Sequence, residues 1–190
     1  MEDSAEEAHL KIMKMVLAAL FAALIAVGAY MSIPISLVPV TLQTFFVFLA
    51  PLVIGKKWGT ISVFVYLLVG LIAPVFSNGQ SGFGVLFGPT GGYLISFLFV
   101  VYLIGWLYEK SDQKMLTTFF IVLLGCIINL IFGSLYFSFV THFSLFKAFS
   151  IGFAPFIIGG VIKAAATVIA AAAINKKLGK YLIDFSEADL

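Results

Sequence analysis

The stretch WGTISVFVYLLVGLIAPVFSNGQSGFGVLFGPTGGYLISFLFVVYLIGWLY, residues 58–108, has no charged side chain in 51 positions and decides the fold. A helix that crosses a bilayer needs about 20 mostly apolar residues (roughly 17–25). The stretch is therefore read as two crossings joined by a turn. Pro74 and the glycines from Gly79 to Gly92 mark that turn, because so much glycine does not suit a helix interior. Working outward, residues 15–55 are charge-free for 41 positions and residues 115–146 for 32. The expected spans are 15–33, 40–54, 60–76, 93–108, 115–139 and 150–174. Pro34 ends the first, since the residue before a proline is biased out of the helical region. Span 40–54 is short and is expected to tilt or adjust locally. The fold class expected is an all-α membrane protein of six transmembrane helices.

Composition leads to the same class. Of the 190 residues, 62% are apolar and 11% charged, with a mean hydropathy of +1.15. Soluble domains are about 45–50% apolar and about 25% charged, so a soluble domain is excluded. An aromatic content of 16% excludes disorder, and a net charge of +2 gives no reason to expect nucleic acid as a partner. The single Cys126 rules out an intramolecular disulfide and a cysteine-based metal cage. All 11 basic residues are lysine, a bias to which no function is assigned.

The lysines give the orientation. Lys11, Lys14, Lys56, Lys57, Lys110, Lys114, Lys176, Lys177 and Lys180 fall at ends that six crossings place on one side, and Lys147 falls at the other. The positive-inside rule puts both termini in the cytoplasm. Residues 1–10 are then an acidic cytoplasmic tail, expected to be frayed and solvated, 11–175 the six-helix membrane domain, and 176–190 a cytoplasmic C-terminal tail. The acidic start, with Glu2, Asp3, Glu6 and Glu7, is not that of a secretory signal. The turns Ser32–Pro39 and Ser77–Gly92 face outward.

Three features of this bundle point toward function. The uncharged Ser77–Gly92 loop could lay backbone groups and the Asn78 and Gln80 amides over a pocket, or it could simply close the bundle as a re-entrant turn. Lys163 sits mid-way along the sixth span, where a lysine costs about 2.5–3.5 kcal/mol on insertion scales. No acidic residue lies inside any span to balance it, so an external anion such as a substrate carboxylate would fit. A snorkelling or neutral lysine is the alternative. Ala18, Ala22 and Ala26, with Ala19 and Ala23 in a parallel register, allow close helix approach, either within the bundle or to another subunit. No P-loop, no histidine–glutamate metal cluster and no serine-plus-base arrangement is evident; no catalytic or metal-binding residue and no cofactor is expected.

Val38-Pro39-Val40-Thr41-Leu42-Gln43-Thr44, Gly55-Lys56-Lys57-Trp58-Gly59 and Tyr66-Leu67-Leu68-Val69-Gly70 resemble segments of the BioY family, as does Pro74-Val75-Phe76. The likeness is strongest at Gly88-Pro89-Thr90-Gly91-Gly92-Tyr93, and Pro155-Phe156-Ile157 followed by Lys163 is similar to the family's sixth-helix pattern. The resemblance covers about Ala18 to Ile174. It implies the biotin-binding S component of an energy-coupling factor (ECF) transporter: a six-helix substrate-binding bundle in a prokaryotic cell (inner) membrane, in contact with membrane lipid. Its partners would be biotin, a transmembrane coupling subunit and two cytoplasmic ATPases. By the same resemblance Asn78 meets the ureido ring, Lys163 the valerate carboxylate, and Ala18, Ala22 and Ala26 the coupling subunit. One departure stands out: Gly160 occupies the place of an aspartate one turn before the lysine, so Lys163 has no counter-ion of its own and carboxylate capture gains weight.

The expected binding set is completed by Phe76, Phe83 and Tyr93 as packing aromatics, with the Tyr93 hydroxyl as a polar handle. Gln43 and Thr90 are ligand contacts or turn and capping residues. An S component for another carboxylated vitamin such as lipoate, a solitary transporter without ATPases, and a non-transporting membrane bundle remain as other readings.

Overall fold

A computed structural model describes residues 2–33 and 37–182, with side chains from Ala8 to Ile33 and from Leu37 to Lys177. Among the described residues the regular structure is helical but for one short hairpin. Helix α1 runs Glu2–Tyr30, followed by strands β1 (Ser32–Ile33) and β2 (Val40–Thr41), then α2 (Gln43–Ile72). A single 3-10 turn (Ser77–Gly79) and α3 (Phe83–Leu86) lead to α4 (Gly91–Lys110), α5 (Met115–Thr141), α6 (Leu145–Gly152) and α7 (Phe156–Leu182). Among the described residues, five helices are long and apolar enough to cross a membrane.

Helix α2 is not straight. Gly55 has φ 78° and ψ 168°, a conformation essentially confined to glycine. Eight residues of continuous helix would separate Pro51 from Gly59 by about 12 Å. Instead, a Cβ on Gly59 would lie 2.9 Å from both the Cα and the N of Pro51. Gln43 Nε2 also donates to the Tyr66 hydroxyl at 2.9 Å, where a straight helix would hold the two roughly 35 Å apart. Both pairs straddle Gly55, so the halves 43–54 and 56–72 pack back to back. Glu109 fastens the bend: Oε1 accepts from the Lys56 backbone N–H at 2.9 Å, and Oε2 pairs with Lys56 Nζ at 2.8 Å. Asn175 ties α7 to the same end, donating to the Leu52 carbonyl at 2.9 Å and the Tyr108 hydroxyl at 3.2 Å.

The core lies between α2, α4 and α5, where Val47, Phe48, Val63, Val100, Val101, Ile104 and Val122 are fully enclosed. Helices α1 and α7 pack on its flanks. Outward-facing side chains such as Val16, Leu20, Phe99, Phe120 and Ile162 are exposed and apolar, the arrangement of a bundle whose solvent is lipid tail. The protein is a multi-pass, all-α membrane protein. At the α4–α5 connection, Asp112 pairs with Lys114 at 2.9 Å. Hydrogen bonds from Lys114 and then Thr117 hold its carboxyl down at about 2.

Several expected boundaries move. The backbone expected to fray at the N-terminus is helical from Glu2. Residues 40–41 are strand, pairing Ser32 with Thr41 and Ile33 with Val40, and residues 34–36 of the expected Ser32–Pro39 turn lie outside the described residues. The span expected at 150–174 is two helices: α6 ends at Gly152, and α7 begins only after Pro155, which disfavours helix in the residue preceding it.

Candidate functional site

The β1–β2 hairpin, the start of α2, the loop after α2 and the first two turns of α4 meet the middle of α5 and the first turns of α7. They line a pocket whose empty space, counted together with the open solvent at its mouth, is about 660 Å³. Val38, Leu94, Phe97, Leu130 and Phe156 give it apolar walls, and Thr41, Thr44, Asn129 and Lys163 place polar atoms in it.

Lys163 reaches this pocket from α7. Its Nζ donates to Thr44 Oγ1 at 2.8 Å and to the Thr41 carbonyl at 3.0 Å. Both partners are neutral, so among the described residues the ammonium is hydrogen-bonded but not balanced in charge. Gly160, one turn earlier on α7, also lines the pocket, and a Cβ there would meet Cys126 Sγ at 2.7 Å. No side chain at position 160 approaches Lys163.

Gln43, Thr90 and Tyr93 join Lys163 at the pocket wall. Gln43 is buried, with its amide given to Tyr66. Thr90 precedes α4 without capping it through its side chain. Tyr93 contributes its ring but not its hydroxyl, which corrects the expected polar handle. That hydroxyl donates to the Gly152 carbonyl at 2.8 Å and lies 3.1 Å from Ser134 Oγ. A glycine at 133 lets the ring settle there, since a Cβ would come within 2.1 Å of it.

Three expected site residues lie elsewhere. Asn78 (φ 59°) is exposed, and its Oδ1 accepts from the Ser32 hydroxyl at 2.8 Å. Its neighbour Ser77 lines the pocket instead. Phe76 is wholly buried against Tyr66, edge to face with centroids 5.6 Å apart, and belongs to the core. Phe83 is 64% exposed and stacks on Phe87, away from the cavity. The alanine register is corrected as well. Ala18 and Ala22 are buried in the bundle and Ala26 is half-buried, whereas Ala19 and Ala23 face outward.

Thr44, Cys126 and Asn129 are pocket residues that sequence reasoning passed over. Asn129 had a signal: it is the one carboxamide in the apolar run of α5, and a buried amide must find partners.

Against this geometry, a model of the BioY family matches residues 2–180 of the chain. The chain belongs to the BioY family. Among BioY relatives, "Biotin transporter BioY" of Thermotoga maritima is 42% identical over 165 residues, covering 86% of this chain and 96% of its own length. "Biotin transporter BioY2" of Lactococcus lactis is 40% identical over 169 residues, covering 88% and 93%. The solved structure described as the S-component for biotin from an ECF-type ABC transporter superposes with a TM-score of 0.83 at 33% identity, over 87% of this chain and 92% of that one. Membership of the BioY family makes this a non-catalytic, substrate-binding transport protein.

Proposed function

We propose that the chain is the substrate-binding membrane subunit for biotin uptake, capturing biotin outside and delivering it inward with an ATP-driven ECF module. The single observation that carries the site is the Lys163 ammonium, directed into a largely apolar pocket and bonded only to neutral oxygens. A carboxylate entering there meets a charge already desolvated and oriented, and the attraction between them is stronger than between the same two groups in water. Leu94, Phe97, Leu130 and the Tyr93 ring pack the apolar body of the ligand, and Gln43 and Thr90 add to the wall. Asn78, bonded to Ser32, links the Ser77–Gly92 loop to the β1–β2 hairpin. In this reading it closes the cover over the site and reaches the ligand only if that bond opens.

The reversal at Gly55 supports counting α2 as two crossings, which gives six in total and both termini on the lysine-rich, cytoplasmic side. Thr90 and Glu109 stand at opposite ends of α4, roughly 30 Å apart, so the pocket opens outward and the Lys56–Glu109 pair lies inward. The outward alanines, Ala19 and Ala23, form the face for a transmembrane coupling subunit, whose two ATPases supply the energy. The membrane is the prokaryotic inner membrane.

Displacement of labelled biotin from the purified protein tests the ligand. Biotin and desthiobiotin should compete at the lowest concentrations, and pantothenate should not compete. Preferred displacement by lipoate would make this an S component for another carboxylated vitamin. No saturable biotin binding would contradict the proposal.

A further inference from the structure

Asn129 is 3% exposed and lines the pocket from α5. Its Nδ2 donates to the Tyr93 carbonyl at 3.1 Å and to Ser96 Oγ at 2.6 Å. Ser96 Oγ gives its own hydrogen to the same Tyr93 carbonyl at 3.0 Å. Toward Asn129, therefore, both neighbours are acceptors. An amide turned over would set its oxygen against two other oxygens, so the network admits one orientation. Both amide hydrogens are committed to the protein, and Oδ1 has no partner among the described residues. Nor is it sealed in: the one enclosed, unpartnered side-chain polar atom among them is Thr167 Oγ1. Oδ1 is an acceptor held toward the cavity.

The same pocket thus contains a group that only donates, the Lys163 ammonium, and a group that only accepts toward the ligand, Asn129 Oδ1. We propose that Asn129 is a specificity-determining residue: its Oδ1 accepts a hydrogen bond from an N–H on the ligand, so the pocket selects an acid that carries a neutral cyclic urea or amide at its other end. This rests on the binding site and ligand proposed above and extends them to the polarity of the ligand in the pocket. A carboxylate placed at Asn129 meets lone pair against lone pair, and an N–H placed at Lys163 meets donor against donor. The two residues together admit the ligand in one direction and reject diacids.

Binding of biotin and of biotin methylated at both ureido nitrogens is measured on the wild-type chain, on Asn129→Leu and on Lys163→Met. Losing a buried hydrogen-bond partner costs about tenfold to a hundredfold. On the wild type, methylation should weaken binding by that factor. Asn129→Leu should weaken biotin binding equally and then show less than about threefold further loss on methylation, whereas Lys163→Met should retain the full methylation penalty. An Asn129→Leu chain still penalised in full by methylation would overturn the assignment, and a wild type indifferent to methylation would overturn it too. Wild-type protein that binds no biotin at all would overturn the functional reading on which the assignment stands. Asn129→Ser, whose hydroxyl can still donate to Ser96, gives the same comparison if the leucine chain does not fold.

Discussion

The Lys163 ammonium lies 2.8 Å from the hydroxyl of Thr44, a residue 119 positions earlier in the chain. Together with the Thr41 carbonyl, that contact joins α7 to the β2–α2 corner through one side chain. Two neutral dipoles can hold an ammonium in place, but they do not neutralise it. The cost of desolvating the charge is therefore met only in part by the protein, and in the proposed function an anionic ligand completes the site.

Cys126 provides a direct marker of where the ligand sits. It is buried and free, it is the single cysteine of the chain, and it lines the same pocket. A small, membrane-permeant thiol reagent should label the empty protein, and saturating biotin should slow labelling at least about tenfold, as site occupancy removes the open fraction. Mass spectrometry measures the rate. Equal rates with and without biotin would place the ligand elsewhere.

The bend in α2 should be intolerant of side chains. At Gly55, alanine must adopt a backbone conformation that costs about 1–3 kcal/mol. At Gly59, leucine must displace the Pro51 backbone, an overpacking cost of about 1–3 kcal/mol. Both variants should unfold at lower temperature in detergent. An unchanged melting temperature for Gly59→Leu would mean that the two halves are not packed as described.

The two alanine registers on α1 should separate by phenotype. Ala19→Leu with Ala23→Leu should leave the melting temperature and biotin binding intact and reduce co-purification with the coupling subunit by about tenfold or more, as expected when a close helix contact is blocked. Ala18→Leu with Ala22→Leu should instead destabilise the isolated chain by about 1–3 kcal/mol per site through overpacking. Pull-down and thermal unfolding together decide between them.

Much of the architecture was legible because lipid imposes a long apolar run on every crossing, and charges, prolines and glycines interrupt those runs. Lys163 stands out in the sequence for the complementary reason, as a charge in an apolar span with no acidic residue in any span to balance it. Side-chain direction was not. Ala18 and Ala19 are identical in type, and only the position of α2 decides which is buried. Asn78 and Ser77 are neighbours on a tight turn whose positive φ at Asn78 carries the amide toward Ser32 and leaves Ser77 at the pocket. The pairing of Ser32–Ile33 with Val40–Thr41 depends on contacts across the hairpin that local pattern does not encode. Tyr93 lines the pocket wall, but its hydroxyl is turned to protein partners. Gly152 and Ser134, which take that hydroxyl, come from elements distant in sequence.

The most direct test pairs the charge on Lys163 with the charge on the ligand. Affinities of biotin and biotin methyl ester are measured by equilibrium binding on the wild-type chain and on Lys163→Met. Removing one partner of a buried ion pair costs about 3–5 kcal/mol, or roughly a hundredfold to several thousandfold. Biotin should weaken by that order on the variant, the ester should be weak on the wild type, and the variant should no longer distinguish acid from ester. A Lys163→Met chain that binds biotin as tightly as the wild type, or that still prefers the acid by the full factor, would contradict the account.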